Sequence, residues 1–479
     1  FNFEIYFSEV FHRKNGFDIV IGNPPYLRVQ GLQATQPDLV PIYKKSFKAA
    51  QGNFDLYALF IEKGFDLLAE DGHFAYIVPH KFFQATFGKG LRALLNREQA
   101  LKKIIRFGAE QVFDVPSTYT CLLFLAKQSQ NTFQIFEVTN LSDIERVFSY
   151  IRLRQAHEAY ACAEISSPKS DDWDFHTGGG NIVLDKLKQQ SVTLGDITRK
   201  IFVGLQTSAD KIYVLEVREE LKNILRCYSR HLDEEVEIER GLVKPFLMGK
   251  DVHRYAPAVA RNVVIFPYNL QNGKAGLMSQ DYIKHTFPLG WMYLKRNQKD
   301  LANRENGRMF GDNFYAYIYP KNLTEFSAVK IMTPDICSVP QMTIDESEDL
   351  YHTTTLYSFV FKSDVKDSPK YFLGILNSRL LWYFMSITGT VLRGGYLRFK
   401  TEYLKPFPIR CSISTDPPSE KVQNKIVQLV DCILSSKKSD QGVDTSVYEQ
   451  EIDEMVYRLY GLSQEEIALV ESATQRKPS

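Results

Sequence analysis

The chain has 479 residues, 44% of them hydrophobic and 24% charged, which is an ordinary globular composition with length for two or three domains. Its 58 lysines and arginines and 57 acids leave a net charge of +1, which excludes a protein coated in basic residues but allows one basic groove. The six cysteines lie far apart, which argues for reduced thiols and against a disulfide framework or a metal site.

The first predicted element is a short β-branched run at residues 17–22, which is followed by Asn23, Pro24, Pro25 and Tyr26. This pattern predicts a buried strand that stops in a rigid turn. Because proline fixes φ and lacks an N–H, the turn leaves carbonyl oxygens without a local donor. We therefore expect Asn23 and a free carbonyl to point the same way from the carboxyl edge of a sheet, where open α/β folds bind ligands.

Two such oxygens suit the exocyclic amine of a nucleobase, which is a poor nucleophile because its lone pair is delocalised into the ring. If the Asn23 side chain and the Pro24 carbonyl each accept one N–H, the nitrogen becomes more nucleophilic. Tyr26 offers a flat face on which a base rotated out of a duplex can stack. The alternative is a turn that Asn23 merely caps, and the surrounding strand and α/β pattern favour the base-binding hypothesis.

Strand-like and helix-like runs alternate up to about residue 140, which is typical of a doubly wound α/β sheet. The predicted helices cover residues 53–69 and 91–95, and the predicted strands cover residues 74–78, 104–107, 121–125 and 133–138. A charged helix is predicted over residues 141–161. The polar residues 166–180, which end in three glycines, predict a linker.

Residues 17–26 resemble motif IV of the DNA methyltransferases that form N6-methyladenine. With residues 7–11 upstream, the match extends to the type IIG restriction-modification enzymes. The resemblance implies transfer of a methyl group from S-adenosylmethionine to N6 of a flipped adenine, with residues 23–26 as the catalytic motif.

Three further segments are similar to motifs V, VI and VIII of the same family, at residues 53–60, 72–79 and 112–120. The resemblance implies that an aromatic at the position of Phe60 touches the adenine of the cofactor and that one at Phe113 packs against the flipped base. Plain core packing is an equally weighted alternative for both aromatics.

Residues 1–145 are therefore expected to form the second, C-terminal half of an S-adenosylmethionine-dependent methyltransferase domain, a partial doubly wound sheet. A cofactor site needs a Gly-rich turn after the first strand and an acidic residue for the ribose, and only sixteen residues precede the first strand run. We expect an incomplete S-adenosylmethionine site and no methyl transfer by this chain alone. The methyl-donor region is expected in the same parent polypeptide, and the resemblance to type IIG enzymes places any nuclease of that parent N-terminal to it.

After a helix and linker at residues 146–180, residues 181–410 are rich in Tyr, Phe, Pro and Asn and predict an α+β domain with short strands. Residues 204–214 resemble the GIxTGxDKxF signature of type IIG target-recognition domains. Ser208 replaces a glycine, which matters little if φ is negative there. Segments with the same resemblance are residues 242–252, 326–332 and 373–381. The implied partner is double-stranded DNA.

Local charge indicates where DNA would bind. Residues 281–308 hold six basic residues against three acids, with interleaved aromatics, and residues 389–405 hold four against one. By charge alone, solvated surfaces are the favoured interpretation of such runs, and the resemblance to target-recognition domains reverses that preference. The predicted DNA contacts are Lys211, Lys295, Arg296, Arg304, Arg393, Arg398 and Lys400.

Residues 411–479 predict C-terminal helices over 421–435 and 447–460, with Gly461 ending the second and Ser463 with Glu466 forming a capping box for a third. The most apolar segment, residues 371–392, is interrupted by polar residues and predicts a buried amphipathic helix rather than a membrane span. With no visible signal peptide, the expected location is the cytoplasm.

Two other functions fit parts of the pattern. Pro334-Asp335 followed by Asp364 and Lys366 matches a loose nuclease motif whose carboxylates would hold Mg²⁺. The second alternative is a DNA-binding specificity module without catalytic activity. Asn23 and the residues after it argue against that module, because a pure DNA reader has no use for them.

Overall fold

The structure, a computed structural model, describes residues 2–83, 85–107, 112–113, 119–138, 144–153, 160–168, 173, 180–389, 391–392 and 395–474. Two compact units are present, one made mainly of residues up to Asn181 and the other of residues from Ile182 onward. Each unit has its own hydrophobic core.

The N-terminal unit is built on a mixed six-stranded sheet. Its strands are β1 (Phe17–Gly22), β2 (Leu68–Pro79), β3 (Leu101–Arg106), β4 (Thr120–Leu125), β5 (Thr132–Val138) and β6 (Tyr160–Ser166). Its helices are α1 (Phe3–Tyr6), α2 (Ser8–Lys14), α3 (Val29–Thr35), α4 (Leu39–Ser46), α5 (Leu56–Asp66), α6 (Lys89–Arg97) and α7 (Ile144–Leu153). The strand order is β1-β2-β4-β3-β5-β6.

The predicted strands and helices between residues 53 and 138 are confirmed as β2 to β5, α5 and α6. The sheet is mixed, because β4 returns antiparallel between β2 and β3 while β1 runs parallel to β2 and β3 runs parallel to β5. Parallel strands end at the same edge, so the carboxyl ends of β1, β2, β3 and β5 lie along one side of this sheet.

The burial predicted for β1 is wrong, although its strand conformation is confirmed. Ile19 and Ile21 are 65% and 77% exposed. The physical reason is position: among the described strands, β1 lies at the edge of the sheet and pairs with β2. An edge strand leaves its outer N–H and C=O groups unpaired, and here it also leaves two isoleucines open.

The structure differs in two places from the helix predicted over residues 141–161 and the linker predicted over residues 166–180. Residues 160–166 form β6, which pairs antiparallel with β5, so the helix predicted over residues 141–161 is described as α7 up to Leu153 and is replaced by a strand at its C-terminal end. Trp173 is only 4% exposed and packs beside Phe82 and Phe83, and its indole N–H donates to Asn96 Oδ1 at 2.7 Å. A large aromatic stabilises most when buried, so this point of the predicted linker belongs to the core. Gly178 and Gly179 lie outside the described residues.

The C-terminal unit contains sheets of six, four, three and two strands. Its strands are β7 (Thr198–Val203), β8 (Val214–Glu220), β9 (Ile224–Ser229), β10 (Glu234–Glu239), β11 (Val243–Leu247), β12 (Asn262–Ile265), β13 (Tyr268–Gln271), β14 (Lys274–Leu277), β15 (Lys330–Pro334), β16 (Ile336–Cys337), β17 (Thr343–Asp345), β18 (Tyr351–His352), β19 (Leu356–Phe361), β20 (Val391–Leu392) and β21 (Tyr396–Arg398). The sheet orders are β10-β9-β8-β12-β11-β18, β17-β15-β19-β7, β16-β21-β20 and β13-β14.

Helices surround these sheets. They are α8 (Gly180–Lys188), α9 (Leu194–Ile197), α10 (Asp210–Tyr213), α11 (Gln280–Thr286), α12 (Pro288–Arg296), α13 (Gln298–Ala302), α14 (Arg304–Gly307), α15 (Pro369–Asn377), α16 (Arg379–Thr388), α17 (Thr401–Leu404), α18 (Glu420–Ser439), α19 (Ser446–Leu459) and α20 (Gln464–Ala473). Within the described part of the chain, no helix is both long and apolar enough to span a bilayer.

Buried tyrosines hold one core of this unit together. The hydroxyl groups of Tyr213, Tyr315 and Tyr317 donate to backbone carbonyls at 2.8, 2.6 and 2.5 Å. A buried hydroxyl costs little once it has such a partner, while the ring contributes its full apolar area. The high tyrosine content of this unit is therefore explained by packing.

The C-terminal helices are confirmed, including the Ser463–Glu466 capping box and Gly461, which has φ of +66°. The predicted helix at residues 371–392 is two helices, α15 and α16, because the Ser378 hydroxyl accepts from Leu381 N and starts a new helix. Helices α18 to α20 share one core with residues 369–409. The C-terminal helices are thus part of the same unit and not a separate layer.

Candidate functional site

Residues 23–27 form an irregular turn at the carboxyl end of β1. Gly22 pairs with Tyr76 of β2, so the turn lies beside the end of β2. Asn23 is exposed and Pro24 is buried. No donor from the described residues reaches the Asn23 side chain or the Pro24 carbonyl. The two acceptors predicted from the sequence are therefore not used by any other described residue.

Tyr26 is held at its hydroxyl end. Its Oη donates to the Ile77 carbonyl at 3.1 Å, and its ring meets Tyr57 edge-on, with centroids 6.2 Å apart. Burial raises the pKa of Tyr26 to about 12, so the phenol keeps its proton and remains a donor at neutral pH. The half-buried ring is therefore held in place by neighbouring residues of its own unit.

The turn is tied to the start of α5. Leu56 N donates to the Leu27 carbonyl at 2.8 Å, and Val29 N donates to the Phe54 carbonyl at 3.0 Å. On α5, Phe60 is 44% exposed. Most of the residues around it on this helix are buried, so Phe60 is presented to solvent by a helix whose other side forms core.

Three buried polar atoms near these strand ends have no hydrogen-bond partner among the described residues: Asp55 Oδ1, His80 Nδ1 and Thr120 Oγ1. Asp55 directly precedes α5, and His80 directly follows β2 next to Thr120, which pairs with Pro79. Unpaired buried polar atoms are rare in folded proteins, and they are often found where a ligand supplies the partner.

The sequence did not single out these polar residues. Burial and the nearby Arg106 lower the pKa of His80 to about 4, so its ring is neutral at physiological pH. Burial raises the pKa of Asp55, against the opposing charges of Arg28 and Lys81. For His80 the available sequence signal was position, since it closely follows the predicted strand at residues 74–78. Asp55 gave no such signal, because it lies inside the predicted helix at residues 53–69.

Phe113 is half-buried. Residues 114–118, which complete the predicted motif VIII, lie outside the described residues.

In the C-terminal unit, residues 205–212 line a surface groove of about 490 Å³ together with His231 and Asp300. A Cβ on Gly204 would lie 2.1 Å from the His352 carbonyl oxygen, so only glycine allows this close approach. Ser208 has φ of +58°. The expectation of a negative φ at this glycine-replacing serine is therefore wrong, and the backbone there is strained.

Arg304 corrects one predicted DNA contact. The residue is 8% exposed, and its guanidinium donates to the carbonyls of Leu301, Thr207, Phe314 and Ala316 at 2.7 to 2.9 Å. A phosphate cannot reach a guanidinium whose donors are already bound to buried carbonyls. Arg304 instead ties residues 204–211 to the segment that follows α14.

The other basic residues that were predicted to contact DNA differ in their exposure and in their side-chain partners. Lys211 is exposed at the groove, and Lys400 is half-buried. Lys295 Nζ donates to Gln298 at 2.6 Å and lies 5.9 Å from the Trp291 ring centroid. Two further arginines form ion pairs, Arg296 with Glu234 at 2.5 Å and Arg398 with Asp335. Arg393 lies outside the described residues.

The metal-dependent nuclease alternative is wrong. Asp335 N donates to the Thr355 carbonyl just before β19, whereas Asp364 follows the other end of this strand. A six-residue strand is about 20 Å long, so the two carboxylates cannot hold one cation. In the described ranges, no three His, Cys, Asp or Glu side chains are grouped for a metal ion.

Each of the two units contains a segment that matches a known protein family. Residues 1–113 match the family described as Eco57I restriction-modification methylase, and residues 244–409 match the TaqI-like C-terminal specificity domain. The chain is 28% identical over 457 residues to the type II restriction enzyme and methyltransferase RM.Eco57I of Escherichia coli. This alignment covers 91% of the chain and 45% of that protein.

The chain is also 21% identical over 478 residues to the type II methyltransferase M.BstVI of Geobacillus stearothermophilus, covering 96% of the chain and 76% of that protein. Its fold is similar to that of the type IIL restriction-modification enzyme MmeI, with a TM-score of 0.57 at 13% identity over 95% of this chain and 56% of that one. The chain thus spans less than half the length of the E. coli relative. Two parts of the chain thus match different family models, a restriction-modification methylase at residues 1–113 and a specificity domain at residues 244–409, and both of these curated relatives are named as type II methyltransferases.

Proposed function

We propose that this chain is the base-binding and sequence-recognition portion of a DNA methyltransferase that methylates N6 of an adenine turned out of the duplex. The observation that carries the proposal is a pair of acceptors on the proline-stiffened turn that no described donor uses, Asn23 Oδ1 and the Pro24 carbonyl, beside a Tyr26 ring held at its hydroxyl end. The family match of residues 1–113 and the type II methyltransferase relatives support it.

In this mechanism the two acceptors bind the two N–H groups of the adenine amine. Each hydrogen bond draws the nitrogen away from planarity and localises its lone pair, which makes the amine a better nucleophile. Both acceptors are neutral, so they hold the protons without removing them before the methyl group is transferred. Tyr26 stacks on the base and fixes the direction in which the amine points.

S-adenosylmethionine supplies an electrophilic methyl group when it is bound. Among the described residues, Phe60 fits the face of its adenine, since the ring is exposed on a helix that is tied to the catalytic turn. We assign the remaining cofactor contacts to a methyl-donor region that docks against the open edge of β1. The exposed Ile19 and Ile21 support this docking.

We assign DNA binding to the C-terminal unit, with Lys211, Lys295, Arg296, Arg398 and Lys400 as phosphate contacts. Arg296 and Arg398 share their charge with an acid, so we expect Lys211 and Lys295 to contribute more. The fold similarity to MmeI, whose structure was determined in complex with DNA, supports this assignment. The name of the E. coli relative combines restriction and methylation, and we propose a parent polypeptide that does the same.

Replacement of Asn23 by Ala tests the proposal in the parent enzyme. Loss of one preorganised hydrogen-bond partner of the reacting amine should lower methyl transfer by about 100-fold or more. Binding of duplex DNA, measured by fluorescence anisotropy, should stay nearly unchanged, because phosphate contacts dominate affinity. The control is Gln30→Ala, an exposed amide on α3, which should retain transfer of labelled methyl groups. Equal loss of transfer and binding in Asn23→Ala would contradict the assigned role.

A further inference from the structure

A two-stranded hairpin extends from a core of the C-terminal unit. Its strands β13 and β14 pair with each other and with no other described strand. Asn272 and Gly273 connect them with φ of +50° and +71°, the left-handed backbone that a two-residue hairpin turn requires. Residues 271–276 are all exposed. The tip of the hairpin is therefore open to solvent on both faces.

The base of this hairpin is fixed in the core. Leu270 and Leu277 pack against the buried cluster that contains Tyr268. Directly after β14, the Met278 carbonyl accepts a hydrogen bond from Tyr315 Oη at 2.6 Å. An isolated two-stranded hairpin is only marginally stable in water, so these contacts at the base hold the free tip in one orientation.

One face of the hairpin presents amide and ammonium groups. In the register of the two strands, Asn269 lies opposite Gly276 and Gln271 lies opposite Lys274. Residues that are opposite each other, or two apart along one strand, share a face. A Cβ on Gly276 would meet no atom within 4 Å, so this face is not covered. No described residue forms a hydrogen bond or ion pair with the side chains of Asn269, Gln271 and Lys274.

The charge and the length of the tip suit the major groove of DNA. Residues 262–280 contain no acid, and Lys274 adds one positive charge that no described acid shares. With half of residues 271–276 on each side of the turn, at about 3.3 Å per residue, the free tip is about 10 Å long. The major groove is about 8.5 Å deep and admits a two-stranded ribbon. The tip can therefore reach the floor of the groove.

One of the predicted phosphate contacts is connected to the base of this hairpin by packing. Lys295 Nζ lies 5.9 Å from the centroid of the Trp291 ring, and that ring meets Tyr315 edge-on at 6.0 Å. Tyr315 is the residue whose hydroxyl group binds the end of β14. A cation that can bind a phosphate and the open hairpin thus belong to one packed part of the unit.

We propose that this hairpin enters the major groove and reads bases, with Asn269 and Gln271 pairing with adenines and Lys274 with a guanine. The inference rests on the proposed DNA-binding function of the C-terminal unit and names its reading element. A side-chain amide offers a donor and an acceptor that match N7 and the N6 amine of adenine, whereas Lys has only donors, which match O6 and N7 of guanine. Gly276, opposite Asn269, leaves room for a base edge to approach.

The test uses the parent enzyme and the DNA sequence that it methylates, mapped by sequencing methylated DNA from cells that express it. Transfer of labelled methyl groups is compared between duplexes with that sequence and duplexes with one changed base pair. Asn269→Ala and Gln271→Ala should each lower discrimination at one A·T pair by about 10- to 100-fold and leave the other positions unchanged. Lys295→Ala, which removes a predicted phosphate contact, should instead weaken binding to all duplexes alike.

A modified base identifies the groove and the atom that is read. 7-Deazaadenine lacks the N7 acceptor in the major groove, whereas 3-deazaadenine lacks the N3 acceptor in the minor groove. At the position that Gln271 reads, 7-deazaadenine should lower methyl transfer by the wild type and have no effect on Gln271→Ala. If 3-deazaadenine has this effect instead, the hairpin does not read the major groove and the proposal is wrong.

The matched control is Gln464→Ala, which removes an exposed amide from α20 of the same unit and should leave discrimination unchanged. If the wild type methylates a defined sequence and the double variant Asn269→Ala, Gln271→Ala keeps full discrimination, or loses it equally at every position, base reading by the hairpin is wrong and the proposed DNA binding stands. If the parent enzyme does not bind duplex DNA, both proposals fall. Both side chains are exposed, so the variants should fold, and their melting temperatures check this.

Discussion

Burial decides which polar side chains of this chain are available to a ligand. Asn23 is exposed and its side chain has no partner among the described residues, whereas Arg304 is buried and bound to four carbonyls. Both residues looked like ligand contacts in the sequence. A guanidinium in the interior must satisfy its donors locally, so Arg304 became a structural residue.

Ser208 gives a prediction about stability. Its φ of +58° is unfavourable for any side chain with a Cβ, and the family signature places glycine there. We expect Ser208→Gly to raise the free energy of unfolding by about 1 kcal/mol, measured by urea denaturation. Ser208→Ala keeps the Cβ and should bring no gain. A loss of stability in the glycine variant would show that the serine hydroxyl matters more than the backbone.

The linker predicted over residues 166–180 is wrong at Trp173, and the packing of that side chain explains why. A polar run with Gly and Pro indicated a flexible connection, but Trp173 is anchored in the N-terminal core. One aromatic in contact with Phe82 and Phe83 outweighs several polar neighbours, because burial of a large ring contributes several times more free energy than a turn residue does.

We therefore predict that Trp173→Ala lowers the free energy of unfolding of the N-terminal unit by about 3 to 5 kcal/mol, the usual cost of a large cavity. Thermal unfolding followed by circular dichroism measures the change. Trp173→Phe keeps most of the ring contact and loses only the hydrogen bond to Asn96, so it should cost clearly less. A Trp173→Ala variant as stable as the wild type would mean that this segment is a linker after all.

Asp453 on helix α19 should make the stability of the protein depend on pH. Asp453 accepts from Arg379 N at 2.8 Å, and Arg254, Arg379 and Glu449 are the charged groups around it. Burial raises its pKa from 3.8 to about 6, although the two arginines oppose the shift. The folded state then binds the proton more tightly than the unfolded state between about pH 4 and 6.

Protonation of Asp453 thus favours the folded state, so its contribution to stability is present at low pH and is lost as the pH rises through about 6. Asp453→Asn keeps the acceptor for Arg379 N and removes the charge. We expect the variant to gain stability relative to the wild type as the pH increases from 4 to 7, measured by chemical denaturation at each pH. A constant difference across this range would contradict the raised pKa.

The exposed edge of β1 leads to a prediction about the parent protein, since we assign this edge to docking of the methyl-donor region. We predict that this chain alone transfers no labelled methyl group to duplex DNA above background, because the residues assigned to the cofactor cover only part of it. Addition of the separately expressed remainder of the parent should restore transfer. Ile21→Lys, which places a charge on the exposed edge, should prevent that restoration without unfolding the chain. Transfer by the unaided chain would overturn the prediction.

Local patterns in the sequence by themselves determined the turn at residues 23–26, most strands of the first sheet, and the C-terminal helices with their capping box. These features depend on backbone preferences and on contacts between near neighbours, which a sequence displays directly. Only the tertiary structure decided that β1 is an open edge, that Trp173 is core and that Arg304 is buried. Burial depends on which distant elements pack together, and no local pattern contains that information.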